Sequence, residues 1–207
     1  MENLKKMILI AFVTIVTNTI LFGQNETMVQ SAFSESYKTE LSGNYTVGVS
    51  ELKSVYQTDN YNINARLGWL LFLAKEYTES VIYYDRAIKL KPYCIEARFG
   101  MIKALNALES WDRIQEQYEQ ILRIDDQNTT ALYWLGVLLY NRREYDSASK
   151  NFEKIVNLYP MDYGSVIMLA WTKYYQGKTI DAKILFKQAL LLSPDDGSAI
   201  SGLNLVK

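Results

Sequence analysis

The residues able to do chemistry in this 207-residue chain are unevenly chosen. Histidine is absent and Cys94 is the single cysteine. That removes the commonest general base, the commonest metal ligand, cysteine metal clusters and any internal disulfide. The abundant functional groups are instead 16 tyrosines and 4 tryptophans, with interspersed amides. Such side chains recognise ligands through apolar area and a polar tip. Short motifs that resemble reactive sites dissolve on inspection. Gly177-Lys178-Thr179 looks like the end of a phosphate loop, but Thr172 stands where its first glycine is required and no strand precedes it. Asp59 to Asn64 hints at a calcium loop, yet lacks the central glycine and distal glutamate, and reads as a linker with helix-capping asparagines. Asp125-Asp126 and Asp195-Asp196 precede new helices, where acids favour the amino terminus. Cys94 reads as a packing residue. No catalytic constellation, metal site or cofactor site is expected, and the chain is not read as an enzyme.

The aromatics have helical spacing. Leu67, Gly68 and Leu71 form one stripe of a helix, whereas Trp69, Phe72 and Leu73 form another, more apolar surface than one interface needs. Equivalent positions give Phe99, Lys103 and Asn106, then Tyr133, Val137 and Tyr140, then Ile167, Trp171 and Tyr174.

Those stripes are carried on a repeated element. Residues 129–162 read as two amphipathic helices, a short polar turn and a closing proline. Shifting that stretch back by two of its own lengths lays Leu135-Gly136 on Leu67-Gly68, Glu144-Tyr145 on Glu76-Tyr77 and Pro160 on Pro92. The third proline, Pro194, follows Pro160 by one further length of the same stretch. A period of about 34 residues marks a helical solenoid. The units expected are 61–94, 95–128, 129–162 and 163–196, preceded by an imperfect unit at 27–60. In that imperfect unit a helix from Val29 to Leu41 presents Phe33, Tyr37 and Leu41. Gly43-Asn44 then breaks it before Tyr45. Residues 197–207 would close the last unit with Ile200 and Leu203. In 95–128, Ile102, Ile114 and Ile121 replace small residues, which should force its helices apart.

Ahead of the repeats, Lys5 and Lys6 precede the apolar run Met7 to Phe22, and Gly23 precedes Gln24-Asn25-Glu26. Positive start, short apolar core and small exit residue describe an export signal over residues 1–23, with a retained membrane anchor as the alternative. Sixteen helical residues reach roughly 24 Å, short of the roughly 30 Å hydrocarbon core. Residues 24–207 would then be the exported domain. Without disulfides, it fits a bacterial periplasm or cell envelope.

The repeated unit, with Leu-Gly in its first helix, Ala and an aromatic in its second and a closing Pro, resembles the tetratricopeptide repeat family. The resemblance implies an all-α, right-handed superhelical solenoid of antiparallel helix pairs with a C-terminal capping helix. It further implies that first helices line a concave face holding a partner's peptide or helix. On that face it would place Arg66, Trp69, Phe72, Phe99, Lys103, Asn106, Tyr133, Tyr140, Asn141, Trp171 and Tyr174, with Asn62 beside them. Some family members grip a terminal carboxylate with Lys and Asn; the residues here do not match that clamp, so an apolar or proline-containing segment suits the aromatics better. With a net charge of −1, no basic field marks the chain for nucleic acid. The function expected is a protein-binding adaptor of the bacterial envelope, touching membrane only through the N-terminal segment if uncleaved. A self-assembling homo-oligomeric subunit and a polysaccharide-binding module are the alternatives.

Overall fold

The computed structural model describes residues 26–206, so the expected signal segment lies outside the described residues. Among the described residues there are eleven helices and no strand. The all-α class of succeeding antiparallel helix pairs with a C-terminal helix is the one found. The chain divides into two compact units between Leu108 and Glu109. The boundary falls inside the repeat whose small residues are replaced by isoleucines. The first unit holds α1 (26–41), α2 (Tyr45–Ser54), α3 (Tyr61–Leu73), α4 (Tyr77–Leu90) and α5 (Ile95–Ala107). The second holds α6 (Trp111–Ile124), α7 (Thr129–Asn141), α8 (Tyr145–Leu158), α9 (Tyr163–Tyr175), α10 (Thr179–Leu192) and α11 (Gly197–Leu205).

The helix starts are set by caps. Asn60, Asn128, Asp162 and Asp196 each accept a backbone N–H from three residues onward, at Ile63, Ala131, Ser165 and Ala199. A donor that the helix itself cannot satisfy is thereby paired. The capping reading of Asn60 therefore stands. The turns within pairs are made by a left-handed residue at Lys75, Glu109, Arg143 and Gly177, φ 64°, 52°, 62° and 74°. Gly177-Lys178-Thr179 is that turn, with Lys178 preceding α10.

Packing within α3–α4 and α7–α8, and of α4 and α10 on the helix that follows each, depends on one aromatic entering a glycine gap. In the first unit, a Cβ on Gly68 would lie 2.9 Å from the Tyr84 ring, and one on Gly100 would lie 2.3 Å from it. Ser80 Oγ donates to the Gly68 carbonyl at 2.6 Å, which shows how closely α3 and α4 approach. In the second unit Phe152 fills the gap at Gly136 and Phe186 that at Gly202, with Cβ distances of 2.8 and 2.2 Å. Both phenylalanines are fully buried.

Two terminal helices pack differently from expectation. On α1, Tyr37 and Leu41 are 54% and 91% exposed, and the buried residues are Ala32, Ser36 and Thr39. The reason is α2: a Cβ on Gly48 would come 2.6 Å from Thr39 Oγ1, so only small side chains fit there. The helix also begins by residue 26, ahead of Val29. On α11, Ile200 is exposed, while Ala199, Gly202 and Val206 are buried and Leu203 is partly so. The Phe186 ring selects Gly202 and its small neighbour rather than the bulkier Ile200.

Replacing Gly136 or Gly202 by alanine should destabilise the fold by about 1–3 kcal/mol through overpacking, despite alanine's better helix propensity. Gly197→Ala, with nothing within 4 Å of the added methyl, should not. Urea unfolding monitored by circular dichroism separates the two classes. Burial also raises the phenols of Tyr84, Tyr118 and Tyr140, the latter two to about 12. Because a free phenol ionises near 10, the unfolded chain loses these protons first as pH rises. Stability should therefore be flat below about pH 10 and fall from there toward about pH 12, with a shallower fall in Tyr118→Phe.

Candidate aromatic recognition sites

The first unit contains an open cleft of about 800 Å³. Helix α1 contributes Phe33 and Tyr37, α3 contributes Arg66 and Trp69, and α5 contributes Phe99 and Lys103. On α1 and α5 the residues turned inward include the small Ala32, Ser36, Ala97 and Ala104, whereas on α3 they include Ile63, Leu67 and Leu71.

Arg66 is only 8% exposed and is fully engaged by α1. Its Nε donates to Ser36 Oγ and its Nη2 to the Ser36 carbonyl, both at 3.0 Å. Nη1 pairs with Glu40 Oε2 at 2.5 Å, and the guanidinium carbon lies 3.8 Å from the centre of the Tyr37 ring. Glu40 Oε1 accepts from Trp69 Nε1 at 2.8 Å. One carboxylate therefore fixes both the arginine and the indole. Removing a partner from so buried a pair strands a charge. The available cation is Lys103, exposed, with Nζ 5.0 Å from the centre of the Trp69 ring. Glu96 also lines the cleft, so its rim carries both signs. Tyr61 closes one side, its hydroxyl 2.8 Å from Cys94 Sγ; burial first, then that contact, raises its phenol well above the usual value. Asn62 also lines the cleft, whereas Phe72 and Asn106 lie outside it. Phe72 packs between Trp69 and Tyr77 at 5.7 and 5.9 Å, and Asn106 is exposed near the end of α5.

In the second unit, Tyr140 and Asn141 share a smaller notch of about 540 Å³ with Arg143, Tyr145 and Tyr175. Tyr145 and Tyr175 stack at 5.1 Å and 11°, and Tyr140 meets both edge-on at 5.6 and 5.8 Å. Trp171 is tied down instead: its Nε1 donates to Ser198 Oγ at 2.8 Å, and its ring meets Phe186 at 5.0 Å. Tyr174 packs on Trp171 at 5.8 Å, and Tyr133 lies against Phe152 and Trp134 at 5.9 and 5.3 Å. The sequence reading missed Phe33, Tyr37 and Glu40 on α1, and Arg143, Tyr145 and Tyr175 in the second unit. For Tyr145 and Tyr175 a signal existed, because both adjoin the intra-pair turns, but only first-helix stripes were followed. Among the described residues no cluster of His, Cys, Asp or Glu is placed to hold a metal.

Arg66→Ala should cost about 3 kcal/mol or more, because it leaves Glu40 partly buried and unpaired. Lys103→Ala should change stability by less than about 0.5 kcal/mol, as a surface substitution. Chemical unfolding of the two variants side by side tests this assignment of one arginine to structure and one lysine to the surface.

The same helix pairs occur in known proteins. The family described as "Tetratricopeptide repeat" matches residues 61–94 and 130–160. DnaJ protein P58IPK homolog B of Oryza sativa subsp. japonica is 26% identical over 140 residues; the match takes in 61% of this chain and 30% of that protein. The chain thus spans less than a third of that relative's length. A tetratricopeptide repeat protein from Parabacteroides merdae superposes with a TM-score of 0.72 at 18% identity, over 87% of this chain and 72% of that one. YrrB, described as a TPR protein with an unusual peptide-binding site, gives 0.68 at 14% identity, over 86% and 90%. Residues 61–94 and 130–160 are tetratricopeptide repeats, and the chain that carries them has the tetratricopeptide-repeat fold.

Proposed function

We propose that this protein is a non-catalytic scaffold of the bacterial cell envelope that holds a segment of a partner protein against exposed aromatic side chains. The tetratricopeptide-repeat fold is a general scaffold for protein–protein interaction, and one of the similar structures is described by its peptide-binding site. The observation that carries the reading is the first-unit cleft. Trp69 is held by Glu40, overlain by Lys103 and accompanied by Phe33, Tyr37 and Phe99. Pre-positioned aromatics supply contact area at little entropic cost, and such residues dominate binding energy at interfaces. An extended apolar segment fits these walls, with its polar groups toward Lys103 and Glu96. The notch around Tyr140 and Asn141 offers a second, smaller seat. Export rests on Lys5, Lys6, the apolar run to Phe22 and Gly23.

Fluorescently labelled apolar and proline-containing peptides, titrated against the full chain, should bind with an affinity that drops at least roughly ten-fold in Trp69→Ala and Phe99→Ala, the loss of one anchor. Equal affinity in both folded variants sinks the cleft as the seat. Binding of envelope polysaccharides in place of every peptide would transfer the site to carbohydrate. Fractionation of the native host, with amino-terminal sequencing of the recovered protein, tests export; a purely cytoplasmic chain beginning at Met1 refutes it.

A further inference from the structure

Helix α10 carries an outward apolar ridge of three residues, where the same register of α4 holds one, Ile82, with Thr78 and Lys89. Ile180, Ile184 and Leu191 are 77%, 60% and 83% exposed. They stand at i, i+4 and i+11, so they share one side of the helix. Their exposure does not come from lying near the end of the array. One period earlier on α8 the same positions hold Asp146, Lys150 and Asn157, and two periods earlier on α6 they hold Asp112, Glu116 and Arg123. All six of those residues are exposed, although further helix pairs follow them. The register faces outward in α6, α8 and α10 alike, and only α10 fills it with apolar side chains.

Charge changes in the same helix. Lys178, Lys183 and Lys187 stand where α8 and its preceding turn place Glu144, Ser149 and Glu153, and where α6 has Ser110, Gln115 and Glu119. Among the described residues Lys183 and Lys187 form no ion pair. Asp181 is the single acid on α10. One helix has therefore exchanged a polar, acidic outer face for branched aliphatic residues flanked by unpaired ammonium groups. Branched aliphatics beside lysines match an interface that is apolar below and anionic above. No helix among the described residues is long and apolar enough to cross a membrane, so the contact would lie along a surface.

We propose that the outer face of α10 is a peripheral docking surface for an anionic lipid bilayer, with Ile180, Ile184 and Leu191 entering the headgroup–acyl boundary and Lys178, Lys183 and Lys187 meeting lipid phosphates. None of these six residues belongs to the aromatic cleft or to residues 7–22.

The test needs a local readout, because residues 7–22 could bring the full chain to vesicles by themselves. In full-length protein with Cys94→Ser, Ile184→Cys carries a nitrobenzoxadiazole label. Mixed phosphatidylglycerol–phosphatidylcholine vesicles should blue-shift the label, and pure phosphatidylcholine should not. Adding Lys183→Glu and Lys187→Glu should weaken the response at least roughly ten-fold, since each lysine near an anionic surface contributes about a factor of five. Far-UV circular dichroism confirms folding, which the polar residues at the same register of α8 lead one to expect. An unshifted label on anionic vesicles overturns the proposal, as does an equal shift on neutral vesicles or no effect of charge reversal. A shift that grows with protein concentration without vesicles also overturns it, assigning the ridge to a second copy of the chain.

Discussion

The insertion of one aromatic ring into a gap that glycine leaves is the contact on which α3–α4, α7–α8 and the seating of α5 and α11 depend. Tyr84 sits over Gly68 and Gly100, Phe152 over Gly136, and Phe186 over Gly202. The contact is steric before it is hydrophobic: a methyl group at any of these positions would meet ring carbon closer than real Cβ contacts allow. Close approach then brings the Gly68 carbonyl within reach of Ser80 Oγ. The position of a single ring so fixes the distance between two helices. Some bulky first-helix side chains, such as Tyr133 and Trp171, still pack on the partner helix, whereas Trp69, Phe99 and Tyr140 line open recesses.

That division of labour explains what could be read from the sequence. The period, the caps and the glycine–aromatic pairs are local patterns, and they locate the helices. The terminal helices were less legible. On α1 the spacing of Phe33, Tyr37 and Leu41 is a sound helical stripe, but large residues can mark a recognition face as well as a core face. Ala32, Ser36 and Thr39 pack instead, because α2 brings Gly48 against them. Periodicity alone cannot separate two faces of similar hydrophobicity. The size of the residue opposite decides.

The candidate sites follow the same rule with charge in place of size. Arg66 and Lys103 look alike as cations of adjoining first helices, yet only one remains on the surface. Arg66 is enclosed by Ser36, Glu40 and Tyr37, all on α1 and distant in sequence, so no local pattern announced its burial. Lys103 lies on a ring already held by Glu40, and keeps its charge at the rim of the cleft. Likewise Trp171, alike in register to an open aromatic, is drawn down by Ser198 from α11.

The left-handed turn residue recurs at 75, 109, 143 and 177, and the side-chain caps at 60, 128, 162 and 196 keep the same phase. The turn therefore keeps one phase through every unit from 61 to 196, and cap, turn and glycine gap occur together in the stretch from 129 to 162 and its preceding Asn128. A duplication or deletion of one whole unit returns each left-handed turn residue to an equivalent place. A change of any other length takes the turn and the ring of the second helix out of phase with the helices they serve. The array can thus lengthen or shorten only in discrete steps, except at its first pair. There Tyr45 stands nearer to Tyr77 than a full unit would place it, and α2 spans 10 residues where α4 spans 14. That leaves the first pair unable to trade places with the others.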